Sequence, residues 1–316
     1  MNLRNNFLLV LLFTAVFISC NGKPKEPTPE EFLFSKHLVT HSNPMLHGNR
    51  PGIKIIDFRE PKSYEKGHLP GAINLYRSDF QDTTPPYKGM RLDKAMVAQR
   101  LGEAGISEND TLVVYDDRGS SDASRLWWLL HLYNLGPVYL LDGGIQYWEK
   151  MDGKISQTSL ELPPASFIPK EASNQPGVID KEGVLKRISS DAPNVYLVDA
   201  RSTEEFEGKL LKAGAKKAGR IPKSMHIDWS EAVDYGNTYT FKPLAELEKI
   251  YGSIGASKED TIIVYCHSGV RSSHTSFVLT QLLDYKNVLN YDGSWIEWSH
   301  YDHLPFENDF ITLTKN

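Results

Sequence analysis

Asp260-Thr261-Ile262-Ile263-Val264-Tyr265-Cys266-His267-Ser268-Gly269-Val270-Arg271-Ser272-Ser273-His274 reads as a strand, a tight loop and the start of a helix. Thr261 to Tyr265 is short, apolar and β-branched, as a strand covered on both faces requires. From Arg271 onward, Phe277, Val278, Gln281, Leu282 and Tyr285 recur at helical spacing. Cys266 therefore stands at the mouth of a loop whose backbone N–H groups converge at a helix N-terminus. Such a nest attracts anions and favours thiolate over thiol. Gly269 permits the tight backbone path. A lone cysteine is more often a small buried apolar residue. Here its neighbours are His, Ser, Gly and Arg, which suits a polar loop rather than a core.

Cys266-x-x-Gly269-x-Arg271 after a strand resembles the active-site loop of the rhodaneses, a sulfurtransferase family, in its tandem-domain thiosulfate and 3-mercaptopyruvate forms. The resemblance implies that the loop cysteine takes up a sulfane sulfur as a persulfide. It then passes that sulfur to a thiol or to cyanide. The related cell-cycle phosphatases have a loop one residue longer, sized for phosphate. By the same resemblance, His267, Ser268, Gly269, Val270 and Arg271 of the loop bind substrate around catalytic Cys266, joined by Arg201 and Trp295. Arg201 is equally readable as a brace for the loop, because an Asp-x-Arg stands in both halves of the chain. Where vertebrate thiosulfate enzymes carry a further substrate-binding Arg, this chain has Glu205, which either removes one anion contact and weighs against thiosulfate or pairs with a nearby Arg instead of facing the cleft. The mercaptopyruvate type reads Cys-Gly-Ser-Gly-Val-Thr, so His267 and Arg271 are expected to add donors or positive charge and to favour thiosulfate.

Outward from that stretch the chain repeats itself. Ile55-Ile56-Asp57-Phe58-Arg59 matches Leu197-Val198-Asp199-Ala200-Arg201, and Gly67 to Asn74 matches Gly219 to His226. Asp110 to Asp116 matches Asp260 to Cys266, and Leu141 to Trp148 matches Tyr291 to Trp298. The last two pairs share an offset of 150 residues and the first is offset by 142, which locates an insertion near Lys209 to Lys217. In the first copy, strands are expected near Lys54–Asp57, Ile73–Leu75, Thr111–Tyr115 and Val138–Leu140. Helices are expected near Lys94–Gly102, Ser121–Leu135 and Ile145–Glu149. This alternation implies an α/β fold, each repeat a parallel sheet flanked by helices, which is also the rhodanese architecture. Asp116 replaces the cysteine in the first copy. A carboxylate cannot carry sulfane sulfur, so that copy is expected to be silent and Asp116 structural.

The division expected is a silent domain at 32–150, a Pro-rich linker at 151–176 and a catalytic domain at 177–316. The chain has 316 residues, 40% of them hydrophobic and 11% aromatic, which supports two cores. A net charge of −5 without a basic stripe argues against nucleic acid as a partner. No His, Cys or acid cluster has ligand spacing, so neither metal nor other cofactor is expected. Residues 1–19 read as a signal peptide, with Arg4 before an apolar Phe7–Ile18 run too short to span a bilayer. Phe17-Ile18-Ser19-Cys20 resembles a relaxed bacterial lipobox, implying lipid on Cys20. Residues 20–31, with Pro24, Pro27 and Pro29, read as a tether. The expectation is a monomeric envelope lipoprotein facing the periplasm from the outer membrane. Lipid on Cys20 leaves Cys266 as the one free thiol of two cysteines. A non-turnover persulfide carrier or sulfane sensor is the alternative from another class.

Overall fold

Thr111–Tyr115 and Thr261–Tyr265 are the middle strands of two five-stranded parallel sheets. The computed structural model describes residues 37–310 apart from 49, 85, 170–176 and 191–192. The leader, Cys20 and the tether lie outside the described residues. In the first repeat the strands are β1 (Leu38–Val39), β2 (Ile53–Asp57), β3 (Ala72–Asn74), β4 (Gln81–Asp82), β5 (Met90–Arg91), β6 (Thr111–Tyr115) and β7 (Val138–Leu141). Its helices are α1 (Pro61–Lys66), α2 (Lys94–Glu103), α3 (Ser121–Tyr133) and α4 (Gly144–Lys150). The second repeat has β8 (Val178–Ile179), β9 (Val195–Asp199), β10 (Ser224–His226), β11 (Thr261–Tyr265) and β12 (Asn287–Tyr291). Its helices are α5 (Lys181–Ser189), α6 (Thr203–Glu207), α7 (Leu244–Gly252), α8 (Val270–Phe277) and α9 (Ser294–Trp298).

The sheet orders are β1-β7-β6-β2-β3 and β8-β12-β11-β9-β10, the same topology twice. Register repeats too: Tyr115 pairs with Asp57, and Tyr265 with Asp199. The expected elements of the first copy are all present, with ends moved by a residue or two. In the second copy the expected long helix changes character. The α-helix ends at Phe277 and Val278–Leu282 forms a π-turn, closed by Leu283 N–H donating to the Val278 carbonyl at 2.9 Å. The wider turn lets Val278, Leu279, Leu283 and Tyr285 all enter the core.

The two repeats cluster as one compact unit. Helix α3 packs on α8, and residues 121–130 of α3 are buried throughout, as befits a helix enclosed on every side. Trp127 of α3 meets Phe277 of α8 edge to face, ring centres 4.8 Å apart. A single apolar core runs through both repeats, from Ile56 and Val114 to Val264 and Val288. Each large side chain fully buried there contributes about 1.5–3 kcal/mol. The linker lies along the first repeat. His68 and Ser156 exchange backbone hydrogen bonds at 2.8–2.9 Å, and Ala165 N–H donates to Gly102 O at 2.9 Å. A side chain at Gly102 would collide with that segment, its Cβ 2.7 Å from the Ala165 carbonyl oxygen.

Candidate active site

β11 delivers Cys266 to the N-terminal end of α8, and Gly269 opens that helix at φ 78°. A Cβ at Gly269 would sit 2.6 Å from Asp292 Oδ1, so only glycine fits. Ser294 ties the loop from below, its hydroxyl accepting from Cys266 N–H at 3.1 Å and Gly269 N–H at 3.2 Å. The repeat partner of Ser294 is Gly144, so the change from Gly to Ser between the copies was the signal for this tie. Ser272 points its hydroxyl at Cys266 Sγ, 3.6 Å away. The thiol is 1% exposed and packs with Ala200, Trp229 and Val233. It is therefore more enclosed than a polar loop suggests. Burial pushes its pKa up, but Arg271, the Ser272 N–H and hydroxyl, and the Ser268 N–H outweigh this and hold it below the usual thiol range.

Arg271 is not a free cation. Its Nη1 donates to Glu205 Oε2 at 2.6 Å and its Nη2 to Oε1 at 2.9 Å, a bidentate pair. Glu205 lies on α6 and is 3% exposed. Burial raises the Glu205 pKa, yet the Arg271 hydrogen bonds and charge carry it down to about 2. The pair thus places a cation near the thiolate with its anion directly behind. Removing each member should move the Cys266 pKa in opposite directions. Arg271→Thr is expected to raise it and Glu205→Gln to lower it. The pH dependence of Cys266 alkylation by iodoacetamide measures this, and shifts of one sign in both variants would exclude the arrangement.

The other expected contacts are placed differently. His267 is 7% exposed, with Nε2 3.1 Å from the Ala213 carbonyl oxygen, so it is turned toward the insertion rather than solvent. Burial and neighbouring Lys212 lower its pKa to about 4, and it adds no charge at neutral pH. Ser268 lies under Gly89 of the first repeat, where a Cβ would approach its own Cβ to 3.3 Å. Val270 is buried. Arg201 is 1% exposed and gives its donors to Asp199 at 2.6–3.0 Å and to Gly219 O at 2.7 Å. Trp295 is 2% exposed, lies beneath the Arg201 guanidinium and donates from Nε1 to Lys217 O at 2.8 Å. A buried Asp199 needs a cation, which Arg201 supplies, and Arg201 and Trp295 together brace the strand end next to Ala200. Trp229 and Val233, neither singled out in the sequence, pack with the thiol, and Tyr235 meets Trp229 edge to face.

The rhodanese-like domain family matches residues 45–151 and 181–301. The chain belongs to the rhodanese family. A thiosulfate sulfurtransferase of Corynebacterium glutamicum is 33% identical over 297 residues, 90% of this chain and 95% of the relative. A Mycolicibacterium smegmatis protein provisionally given the same name is 36% identical over 255 residues, 78% of this chain and 88% of the relative. An anaerobic ergothioneine biosynthesis enzyme of Chlorobium limicola, solved with trimethyl histidine, shares the fold with TM-score 0.72 and 22% identity. That match covers 86% of this chain and 70% of the enzyme.

Rhodanese domains carry sulfur as a cysteine persulfide, and this sulfurtransferase has one loop cysteine for two such domains. In the first rhodanese domain, Asp116 occupies its own nest. Its carboxylate accepts from the N–H groups of Arg118 and Ser120 at 2.9 Å and of Ala123 at 2.8 Å. Burial, with Asp122 nearby, lifts its pKa to about 6 against those three donors. The loop of the first domain therefore holds a carboxylate of its own where the loop of the second carries Cys266. The Asp57–Arg59 pair repeats the bracing, with Arg59 reaching Gly67 O at 2.7 Å.

Proposed function

We propose that this sulfurtransferase draws its sulfur from thiosulfate and delivers it to a thiol or to cyanide. The observation that carries the reading is a thiolate-stabilised Cys266, ringed by the Ser268 and Ser272 N–H groups and the Ser272 hydroxyl. In the first step the thiolate attacks the outer sulfur of thiosulfate. The new bond is Sγ–S, the old S–S bond breaks, and its electron pair leaves on sulfite. Loop amides and the helix N-terminus stabilise the outer sulfur, now an anion. In the second step a thiolate or cyanide attacks that sulfur, and Cys266 leaves again as thiolate. No redox partner is required in either step. The close packing of Ala200, Trp229 and Val233 on Cys266 favours a small donor. Incubation with thiosulfate and cyanide tests the reading: thiocyanate should form at a rate proportional to enzyme. A persulfide that forms but never turns over would instead make the protein a carrier.

For the chain before residue 37, the proposal follows the sequence: a signal peptide at 1–19, lipid on Cys20 and a tether to an envelope membrane, with the chain monomeric. No helix among the described residues is long and apolar enough to cross a membrane, so attachment would rest on the lipid. Cys20→Ala should move the protein from the membrane fraction to the soluble periplasmic fraction. Wild-type protein found wholly in the soluble fraction would remove the lipoprotein assignment.

A further inference from the structure

The cations that the sequence offers to an anionic donor are committed elsewhere. Arg271 is clamped by both oxygens of Glu205, Arg201 is sealed against Asp199, and His267 is neutral. Thiosulfate is a dianion and must still approach a thiolate, so positive charge has to come from another source.

Two cationic side chains, one on the insertion and one on the Asp116 loop, are weakly engaged. Lys212 belongs to the insertion that distinguishes the second repeat. Its Nζ is 4.0 Å from Glu205 Oε1, an oxygen that already accepts from Arg271, and its side chain is 46% exposed. Its neighbours are otherwise tied. Lys209 is 2.7 Å from Glu207, and Lys217 donates to Tyr301 O at 2.9 Å. The insertion itself is anchored to the active-site loop. Ala213 O lies 3.1 Å from His267 Nε2, Lys216 N–H donates to Ser299 at 3.0 Å, and Lys217 O accepts from Trp295. Lys212 is thus an exposed cation on a fixed stem, one residue from the contact that holds the residue after Cys266.

Arg118 comes from the other domain. It stands in the silent loop, its side chain is 59% exposed, and its nearest anion, Asp122 at 3.7 Å, is already bound by Arg77 at 2.8 Å. Its carbonyl accepts from Tyr235 at 3.2 Å. The next residue, Gly119, packs on Val233, which belongs to the same small apolar cluster as Cys266. Burial and Arg271 lower the Lys212 pKa, Glu205 and Cys266 raise it, and Arg118 lowers it again, so all of these charges act on one another.

We propose that Lys212 and Arg118, one from each domain, bind the sulfonate end of the donor at the approach to Cys266, and that Lys212 sets the preference for dianionic donors. The silent domain then supplies a substrate contact. The inference rests on the thiosulfate reading, and its test separates the two. The full-length protein is compared with K212Q, K212R, R118Q and the K212Q/R118Q pair; both side chains are exposed enough for the fold to tolerate these changes. K212Q should raise KM for thiosulfate about tenfold with kcat within about twofold. R118Q should raise KM about threefold, and K212R should recover most of the loss. Alkylation supplies a readout without turnover. The rate of Cys266 with anionic iodoacetate, relative to neutral iodoacetamide, should fall about fivefold in the double variant. If wild type takes no sulfur from thiosulfate but that ratio falls, the donor is wrong and the cationic approach stands. If thiosulfate turns over and the ratio is unchanged in the double variant, the inference is overturned. A K212Q defect confined to kcat overturns it as well.

Discussion

Cys266→Ser is expected to take up no sulfur at all. Wild type treated with thiosulfate should gain about 32 Da, one sulfur atom, while the serine variant keeps its mass. Turnover should fall more than about a thousandfold, because a serine hydroxyl in this nest remains protonated where the thiol ionises. The fold should survive. The loop's ties to Ser294 run through the backbone N–H groups of residues 266 and 269, which the substitution leaves in place. The enclosure by Ala200, Trp229 and Val233 accepts a slightly smaller side chain, so stability should change by about 1 kcal/mol or less. A mass gain on the serine variant would show that sulfur is carried elsewhere.

Asp292→Ala should produce the largest loss of stability. The carboxylate is 1% exposed and holds three donors from the first domain: Arg125 Nη1 at 2.5 Å, Arg91 N–H at 2.9 Å and Arg91 Nη1 at 3.2 Å. Arg125 is 0% exposed, so truncation leaves a guanidinium buried without its partner. Breaking such a pair costs about 3–5 kcal/mol. The thermal midpoint should drop by roughly 10 °C. The reciprocal contact is weaker: Asp142 of the first domain receives only Phe241 N–H, at 2.9 Å, from the second. Burial lifts the Asp142 pKa to about 7, so that carboxyl is partly protonated at neutral pH. Asp142→Ala should therefore cost about 1 kcal/mol. Calorimetry on both variants decides, and equal losses would contradict the asymmetry between the two contacts.

The repeat was legible because duplication leaves its trace in order and spacing. Strand ends, both loops and the place of Asp116 opposite Cys266 followed from laying one copy over the other. The same overlay placed Asp57–Arg59 beside Asp199–Arg201, where identical geometry now explains why both copies retain the pair. Pairing of Glu205 with an arginine was among the expectations, but which arginine was not legible. Glu205 and Arg271 are 66 positions apart, and nothing local to either residue signals their contact. Arg271 read as a substrate cation, and the structure adds that Glu205 offsets its charge within hydrogen-bonding distance. His267 read as a loop side chain, but the insertion covers it. The insertion was visible as a change of offset. Its place over the loop was not, because an insertion has no counterpart in the first copy to position it.

The reciprocal contacts also bear on how the protein is made. Arg125 meets Asp292 across 167 residues, and Arg91 meets the same carboxylate across 201. A chain synthesised from its N-terminus completes α3 long before α8 exists to cover it. During that interval Trp127, Leu126 and Leu130 lack the apolar partner that buries them in the finished molecule. Closing contacts so distant along the chain is slow. The half-made protein is therefore its own most aggregation-prone species, and chaperone protection matters most before α8 is released.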